Sequence, residues 1–371
     1  MSDQSKPGVL HIDTERSWRG GQQQAAWLLE GMLAQRWPTA LLCPCGSVLE
    51  ERGRARGWPV HAIPMRGELD LAAGRRIARF ARNAGLAILH AHSSHALALA
   101  LWARLFERRL RLVASRRVDF PIRPHVLSRL KYATGFVDRI VCISEAVRAQ
   151  LVSDGVPPSK LVVIPSGIDT RRFAGLQPPP QFRRDLGIPD GHLVVGTVAA
   201  LAAHKDYPTL LQAARLVLEA DPGVTFVAVG DGPLRAELAD RARELALGRR
   251  FLFQGFREDV GSFLKTFDIF VLASKTEGLG TSVLDAQAVG LPVAACRAGG
   301  IPEIVADRET GLLVPPGNPE ALAAALLELA RNPELRTTLG SRAALAAREH
   351  DVSRTVAAHL ELYRELVPQI R

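Results

Sequence analysis

The sequence predicts an α/β protein made of two doubly wound domains, and three observations carry that prediction. Short, continuous apolar runs alternate with amphipathic stretches from one end to the other. A buried parallel strand reads as such a run, and a parallel pair needs a crossover helix. The alternation is interrupted once, at Gln177-Pro178-Pro179-Pro180, where three prolines fit neither a strand ladder nor a helix and make a stiff connection. The length, 371 residues, suits two domains of about 100–200 residues each.

Taken in order, the strand candidates of the first half are 9–13, 40–43, 60–63, 87–91, 112–115, 139–143 and 161–164. Helical patterns separate them at 22–34, 71–83, 96–106 and 145–153. After the prolines, strands are expected at 193–198, 225–229, 251–254, 269–272, 292–295 and 312–314, with helices at 209–219, 234–244 and 282–289. From 319 onward the chain reads as helical pieces punctuated by Pro333 and Asp351. Residues 1–176 and 181–349 thus read as two Rossmann-like domains, followed by a final helical segment, 350–371. Open α/β sheets bind ligands at the carboxyl ends of their strands. Two such sheets facing each other across a cleft suit a two-substrate reaction, because closure excludes water.

Composition is that of a globular protein, 47% hydrophobic and 23% charged. The net charge of +9 is unevenly placed. Residues 1–175 hold 26 Lys/Arg against 14 Asp/Glu, net +12, and the remainder holds 21 against 24, net −3. Such asymmetry suggests an anionic partner for one half only: a phosphorylated acceptor, a membrane surface or nucleic acid. A solvated Arg-rich surface explains the same excess. No run of about 18 uncharged apolar residues is present to span a membrane, and residues 1–8 lack the apolar core of a secretory signal. Cys43, Cys45, Cys142 and Cys296 lack the paired spacing of a zinc site and read as reduced, structural thiols.

The chemistry is expected just after the strands. Trp18-Arg19-Gly20-Gly21 follows the first strand and opens a helix, where backbone N–H groups can approach an anion. Neither a Gly-x-Gly-x-x-Gly nor a P-loop pattern occurs there, which argues against a dinucleotide oxidoreductase. His90-Ala91-His92 ends the fourth strand. The two imidazoles share a side, so a metal site is conceivable, but no nearby Cys, Asp or Glu completes it. His92 could instead meet a substrate hydroxyl or phosphate, and a purely structural role is the commoner one for such a pair.

The second half is richer. Lys205 follows that domain's first strand, placed to meet a phosphate. The block from Ser274 to Asp285 follows a strand and opens a helix, with Gly278 and Gly280 freeing the backbone. A helix N-terminus offers unpaired N–H groups and a positive dipole end, which suits a diphosphate. Glu277 and Asp285 flank it, and carboxylates there accept hydrogen bonds from sugar hydroxyls.

With these residues in view, the chain resembles glycosyltransferase family 4, the retaining GT-B sugar-nucleotide transferases of group 1 type. The resemblance covers nearly the whole chain: Gly20-Gly21, His90-Ala91-His92, Asp138 to Glu145, Ile164 to Asp169, Val229-Gly230-Asp231-Gly232-Pro233, Gly255-Phe256-Arg257, Glu277 to Asp285, and Ala298 to Glu303. It implies that Lys205 and the amides near Gly280, Thr281 and Ser282 hold the nucleotide diphosphate. Glu277 would bind the transferred sugar and Asp285 the ribose. Gly230 with Gly255, Phe256 and Arg257 would line the base pocket, while Gly20, Gly21 and His92 would approach the donor from the first domain. That domain would bind the acceptor, and the final helix, 350–371, would cross back onto it.

Two positions depart from the family pattern. An arginine usually stands five residues before the lysine, where this chain has Ala200. Losing such a charge-assisted bond costs about 1.5–3 kcal/mol, and His204, Arg116 and Arg117 are the candidate substitutes. The second carboxylate is usually Glu, and Asp285 is one methylene shorter.

The resemblance implies a hexosyl-type retaining transferase that needs no metal and no cofactor, its donor a UDP-, GDP- or ADP-sugar. No Asp-x-Asp metal motif occurs in the chain. Catalysis would be electrostatic, with Lys205 and the helix end stabilising the leaving diphosphate and transfer on the front face of the sugar. The basic half carries Arg104, Arg108, Arg109, Arg111, Arg116, Arg117, Arg123, Arg129 and Lys131, with Val126, Leu127 and Leu130 beside them. This suits a saccharide or lipid-linked acceptor at an anionic inner-membrane face. A cytoplasmic, peripheral enzyme of lipopolysaccharide or surface-polysaccharide assembly is the expectation. A UDP-sugar 2-epimerase of the same architecture and a non-catalytic carbohydrate-binding relic are the alternatives. Nucleic-acid binding is remoter still, since no recognisable module is present.

Overall fold

The computed structural model describes residues 6–122, 131–132 and 134–367. Arg123, Val126, Leu127, Arg129 and Leu130 lie outside the described residues. The chain divides into two compact units, one made of the residues up to Gly167 together with those from Val352, the other of Ile168–Asp351. The first dividing point, between Gly167 and Ile168, thus lies ahead of the proline run. Phe173 and Leu176 already pack over Gly261 within unit 2, so the chain is committed to that unit before it reaches Pro178.

Unit 1 is a seven-stranded parallel sheet in the order β3-β2-β1-β4-β5-β6-β7. Its strands are β1 (Gly8–Ile12), β2 (Thr39–Pro44), β3 (Val60–Ile63), β4 (Leu86–Ala91), β5 (Arg111–Arg116), β6 (Arg139–Cys142) and β7 (Leu161–Val163). Each falls within one or two residues of its apolar run. The added helix Val48–Ala55 lacks an apolar stripe. It is anchored by Leu49, buried with Leu29, Leu41 and Trp58, and supported by polar contacts: Ser47 caps it by accepting from the Glu50 N–H, and Glu50 pairs with Arg54 one turn on. Helix Val352–Leu366 lies on helix Gly20–Ala34, and Gly31 permits the approach, since a Cβ there would stand 2.5 Å from Val356 Cγ2. Leu28, Met32, Trp37, Val356, Leu360 and Tyr363 form that buried seam.

Unit 2 is a six-stranded parallel sheet in the order β10-β9-β8-β11-β12-β13. Its strands are β8 (Leu193–Val198), β9 (Val224–Val229), β10 (Phe251–Phe253), β11 (Ile269–Leu272), β12 (Val293–Cys296) and β13 (Leu312–Val314). Helices Pro319–Arg331 and Pro333–Ala347 each begin with proline at the first position, where its missing N–H is harmless, and are capped by Asn318 and Asn332. Both units are α/β with wholly parallel strands, so in each every carboxyl end lies along one edge. In each, the first strand pairs with the fourth as well as the second, which makes a topological switch point between them.

Candidate functional site

In unit 2 the switch point lies between β8 and β11. The loop after β8 leads to a 3-10 turn, Ala203–Lys205, and then reverses through Asp206, which has φ +47°. The Lys275 N–H donates to His204 O at 2.9 Å, and Lys275 Nζ pairs with Asp206 at 3.0 Å, tying the loops after β8 and β11 together. This brings Lys205 Nζ against Glu277 Oε2 in an ion pair whose side chains are each 14% exposed. Ser274 Oγ also donates to Glu277 Oε2, at 3.1 Å. Two residues far apart in sequence, each expected to meet a different part of one ligand, therefore meet each other.

Helix Thr281–Ala288 follows at once. Its N-cap, Gly280, has φ +92°, and a Cβ there would lie 2.4 Å from Ile301 Cδ1. Only glycine suits that position. No side chain caps this N-terminus and no acidic residue occupies its first turn, so the positive end of the helix is uncompensated. Asp285 lies one turn in. Its Oδ2 pairs with Arg172, while its Oδ1 is buried without a hydrogen-bond partner. Burial pushes the Asp285 carboxyl above its ordinary range, and Arg172 pulls it back. Thr276 Oγ1, in the same loop, is likewise buried and unpaired.

Beyond β9 the chain turns at Gly230, φ +140°, where a Cβ would stand 2.0 Å from Ala199 O. The Gly230 N–H donates to Gly255 O at 2.8 Å. That bond fixes the Gly255-Phe256-Arg257 turn beside Gly230. Phe256 is 61% exposed, a flat apolar face at the strand ends. Arg257 is engaged by Asp259 at 3.0 and 3.2 Å. Ala200 is exposed, and no arginine takes its place within the loop.

Unit 1 treats its strand ends differently. Gly20 and Gly21 open helix Gly20–Ala34, again with no side-chain cap. A Cβ on Gly20 would meet nothing within 4 Å, and one on Gly21 only Arg117 Cδ at 3.8 Å. Crowding within the unit requires glycine at neither. Asp13, buried at the end of β1, accepts from the Glu15 N–H and from Gln22 Nε2.

His92 does not stand open. Arg117 Nη2 lies 3.0 Å from His92 Nδ1, and His92 Nε2 lies 2.8 Å from His11 Nδ1. A guanidinium only donates, so Nδ1 of His92 accepts and its proton resides on Nε2. That proton is given to His11 Nδ1, which leaves His11 protonated on Nε2, facing Met32 Sδ at 3.2 Å. Beside them His90 contacts Tyr363 Oη at 2.6 Å and Ser115 Oγ at 2.8 Å. Burial pushes His11 down to about 3 and His359 to about 4, and holds His90 and His92 well below their ordinary value. The four imidazoles are neutral. Ligand nitrogens of His11, His90 and His92 lie within 4.8 Å of one another, a spacing a metal could use. Each ring nitrogen already has a protein partner, however, and the Arg117 guanidinium would repel a cation, so these residues fit a hydrogen-bonded core better than a metal centre.

The arginines of the basic half are largely engaged too. Arg104 is buried and pairs with Asp138, which also accepts from Arg111 at 3.1 Å and from the Leu112 N–H. Lys131 pairs with Glu68 at 2.8 Å. Arg116 donates to Phe120 O and lies over the Tyr132 ring, and Arg117 also donates to His92 O. Arg108 and Arg109 are exposed. Sequence reasoning missed His11, Tyr363, Met32 and Arg172. The register His11↔His90 between adjacent strands is the signal that could have found the first.

Two sequence profiles account for most of the chain: "Glycosyltransferase Family 4" matches residues 18–172 and "Glycosyl transferases group 1" matches residues 179–345. The chain belongs to glycosyltransferase family 4. This glycosyltransferase is 25% identical to the N-acetyl-alpha-D-glucosaminyl L-malate synthase of Bacillus anthracis, over 79% of its own length and 78% of that protein's. It is 33% identical to a lipopolysaccharide core biosynthesis glycosyltransferase of Rhizobium meliloti over 62% of each chain, less than two thirds of that relative's length. Its fold is that of the Anabaena HepE protein, crystallised in complex with UDP, with TM-score 0.84, 22% identity and coverage of 97% and 100% of the two chains. The glycosyltransferase therefore has the GT-B architecture of two Rossmann-like domains.

Proposed function

We propose that this chain moves a hexosyl-type sugar from a nucleoside diphosphate to a saccharide or lipid-linked acceptor with retention of configuration. The observation that carries the reading is the Lys205–Glu277 pair at the β8–β11 switch point, beside the uncapped helix end at Gly280. A diphosphate would draw Lys205 from Glu277 and lie against the Gly280, Thr281 and Ser282 amides. Glu277, once released, accepts hydrogen bonds from the sugar. As the bond to the sugar breaks, negative charge builds on the leaving phosphate, and Lys205 with the helix N-terminus stabilises it without reorganisation. Asp285 takes the ribose, and Gly230, Gly255, Phe256 and Arg257 take the base. Gly20, Gly21 and His92 are the candidates from unit 1, and His92 can serve only by giving up a bond to Arg117 or His11. No cofactor or resident metal enters this scheme.

The lipopolysaccharide-core relative supports a role in bacterial surface-polysaccharide synthesis at the cytoplasmic face of the membrane, and the UDP-bound HepE structure supports a uridine donor. The attachment we propose is peripheral; no helix among the described residues is long and apolar enough to cross a membrane. A thermal-shift screen of UDP-, GDP- and ADP-sugars tests the reading, because a bound donor stabilises by mass action. Selective stabilisation by one donor, with transfer lost in Lys205→Ala and Glu277→Ala, is the expected result. An active Glu277→Ala enzyme would sink the assignment, and an epimer formed from UDP-N-acetylglucosamine without acceptor would replace it with an epimerase.

A further inference from the structure

Arg172 has no part in the reaction as described, yet unit 2 fixes it from three directions. It lies in the 3-10 turn Thr170–Phe173. The turn is anchored by Asp169 accepting from the Arg171 N–H at 3.1 Å, by Thr170 Oγ1 donating to Asp351 at 2.8 Å, and by the Ile168 N–H donating to His350 O at 2.9 Å. The next residue, Phe173, is buried, and the Arg172 guanidinium carbon stands 4.5 Å from that ring's centroid. A cation over an aromatic face is attracted to it and loses freedom. The guanidinium then pairs with Asp285 Oδ2.

The second observation is on the carboxylate itself. Asp285 Oδ1 is buried and has no hydrogen-bond partner, although a buried polar atom almost always has one. One oxygen is thus held by a preset cation, and the other is kept dry with its lone pairs unused. An ionised carboxylate only accepts, so the group it lacks is a hydroxyl or N–H that no described residue supplies.

We propose that Arg172 is a positioning residue of the donor site, holding Asp285 by Oδ2 so that Oδ1 receives a hydroxyl of the donor's ribose. This inference rests on the donor-site reading above. It also gives a reason why the shorter Asp serves where a Glu is usual: the arginine reaches the carboxylate and sets its orientation from outside the helix. Burial raises the proton affinity of Asp285, and the Arg172 guanidinium opposes that rise.

The test compares ribose with deoxyribose ligands. UDP, GDP and ADP and their 2′-deoxy forms are titrated calorimetrically against the native chain, Arg172→Ala, Arg172→Lys, Asp285→Asn and the Arg172→Ala/Asp285→Asn double variant. The native chain should prefer the ribose form of its nucleotide by at least about tenfold, the value of a charge-assisted hydrogen bond. Arg172→Ala should erase most of that preference and raise donor KM with kcat little changed. Arg172→Lys should restore part of it, and Arg172→Ala should add nothing once Asp285 is Asn. A purely structural arginine would lower Tm and leave the preference intact, and that outcome overturns the inference alone. A ligand effect that persists in the Asp285→Asn background also overturns it, because Arg172 would then contact the nucleotide directly. Failure of all three nucleotides to bind the native chain overturns the donor reading and this inference together.

Discussion

The two units share a strand plan and differ in what their polar groups do at the strand ends. In unit 1 the chain turns most of its polar side chains on itself: Arg117, His92, His11 and Met32 form a directed sequence of contacts, His90 is held by Tyr363 and Ser115, and Arg104 is paired with Asp138, while Nε of Arg116 and of Arg117 is buried without a partner among the described residues. In unit 2 the corresponding edge has Lys205 and Glu277 as each other's partner, an uncapped helix end, and unpaired Asp285 Oδ1 and Thr276 Oγ1. A group satisfied within the chain contributes to stability, whereas one left over is available to a ligand. The contrast fits the proposal that donor chemistry belongs to the half with net charge −3, and it gives much of the +12 half's arginine a structural role.

The largest effect that would sharpen this comparison is on activity. Lys205→Ala should lower kcat/KM by at least about a hundredfold, as the loss of an electrostatic stabiliser of the leaving group does, with circular dichroism showing a folded chain. A variant within about threefold of native in kcat/KM would break the assignment of unit 2 as the catalytic half.

Next comes the acid response of unit 1. Neutral buried imidazoles have folded pKa values below the unfolded value near 6.5, so the unfolded chain binds more protons as pH falls. The stability they contribute is complete above about pH 6.5. It is lost as pH drops toward 4 for His359 and 3 for His11. Each such group costs about 1.4 kcal/mol per pH unit in that window. Unit 1 should therefore unfold first on acidification, read by hydrogen exchange of β1 and β4 amides against those of β8 and β9. Replacing His11 by Leu should lessen the acid dependence, and an unchanged profile would count against the buried cluster as its source.

Arg104→Ala should destabilise unit 1 by about 1–3 kcal/mol, because it leaves the half-buried Asp138 carboxylate with only Arg111 and the Leu112 N–H, with no loss of donor affinity once folded. The glycines give the smallest effect. Gly280→Ala meets Ile301 and a left-handed backbone, and should cost about 1–3 kcal/mol with weakened donor binding. Gly21→Ala has room and should move Tm little, so any loss it causes will be in donor KM. Equal Tm shifts for both would contradict the packing that separates them.

Much of the fold was legible beforehand. The continuous apolar runs mark parallel strands within a residue or two, and the helix ends at Asn318-Pro319 and Asn332-Pro333 are written in local capping chemistry. Of the site, Lys205 and the block from Glu277 to Asp285 could be read because they are local: a strand, a turn with glycine, a helix start. The substitutes considered for the missing arginine at Ala200 were less legible. Arg116 and Arg117 follow β5, but the structure engages both within unit 1, while the arginine that meets the Asp285 carboxylate is Arg172.

The sequence by itself determined the element order, the α/β class and the residues that follow each strand of unit 2, because periodicity, capping and glycine placement act over a few neighbouring positions. Only the tertiary structure decided which charges meet: Lys205 with Glu277, Arg172 with Asp285, Arg104 with Asp138, and His11 with His92. Ion pairs and hydrogen bonds depend on separation in space to within about half an ångström, and separation along the chain carries almost no information about that distance.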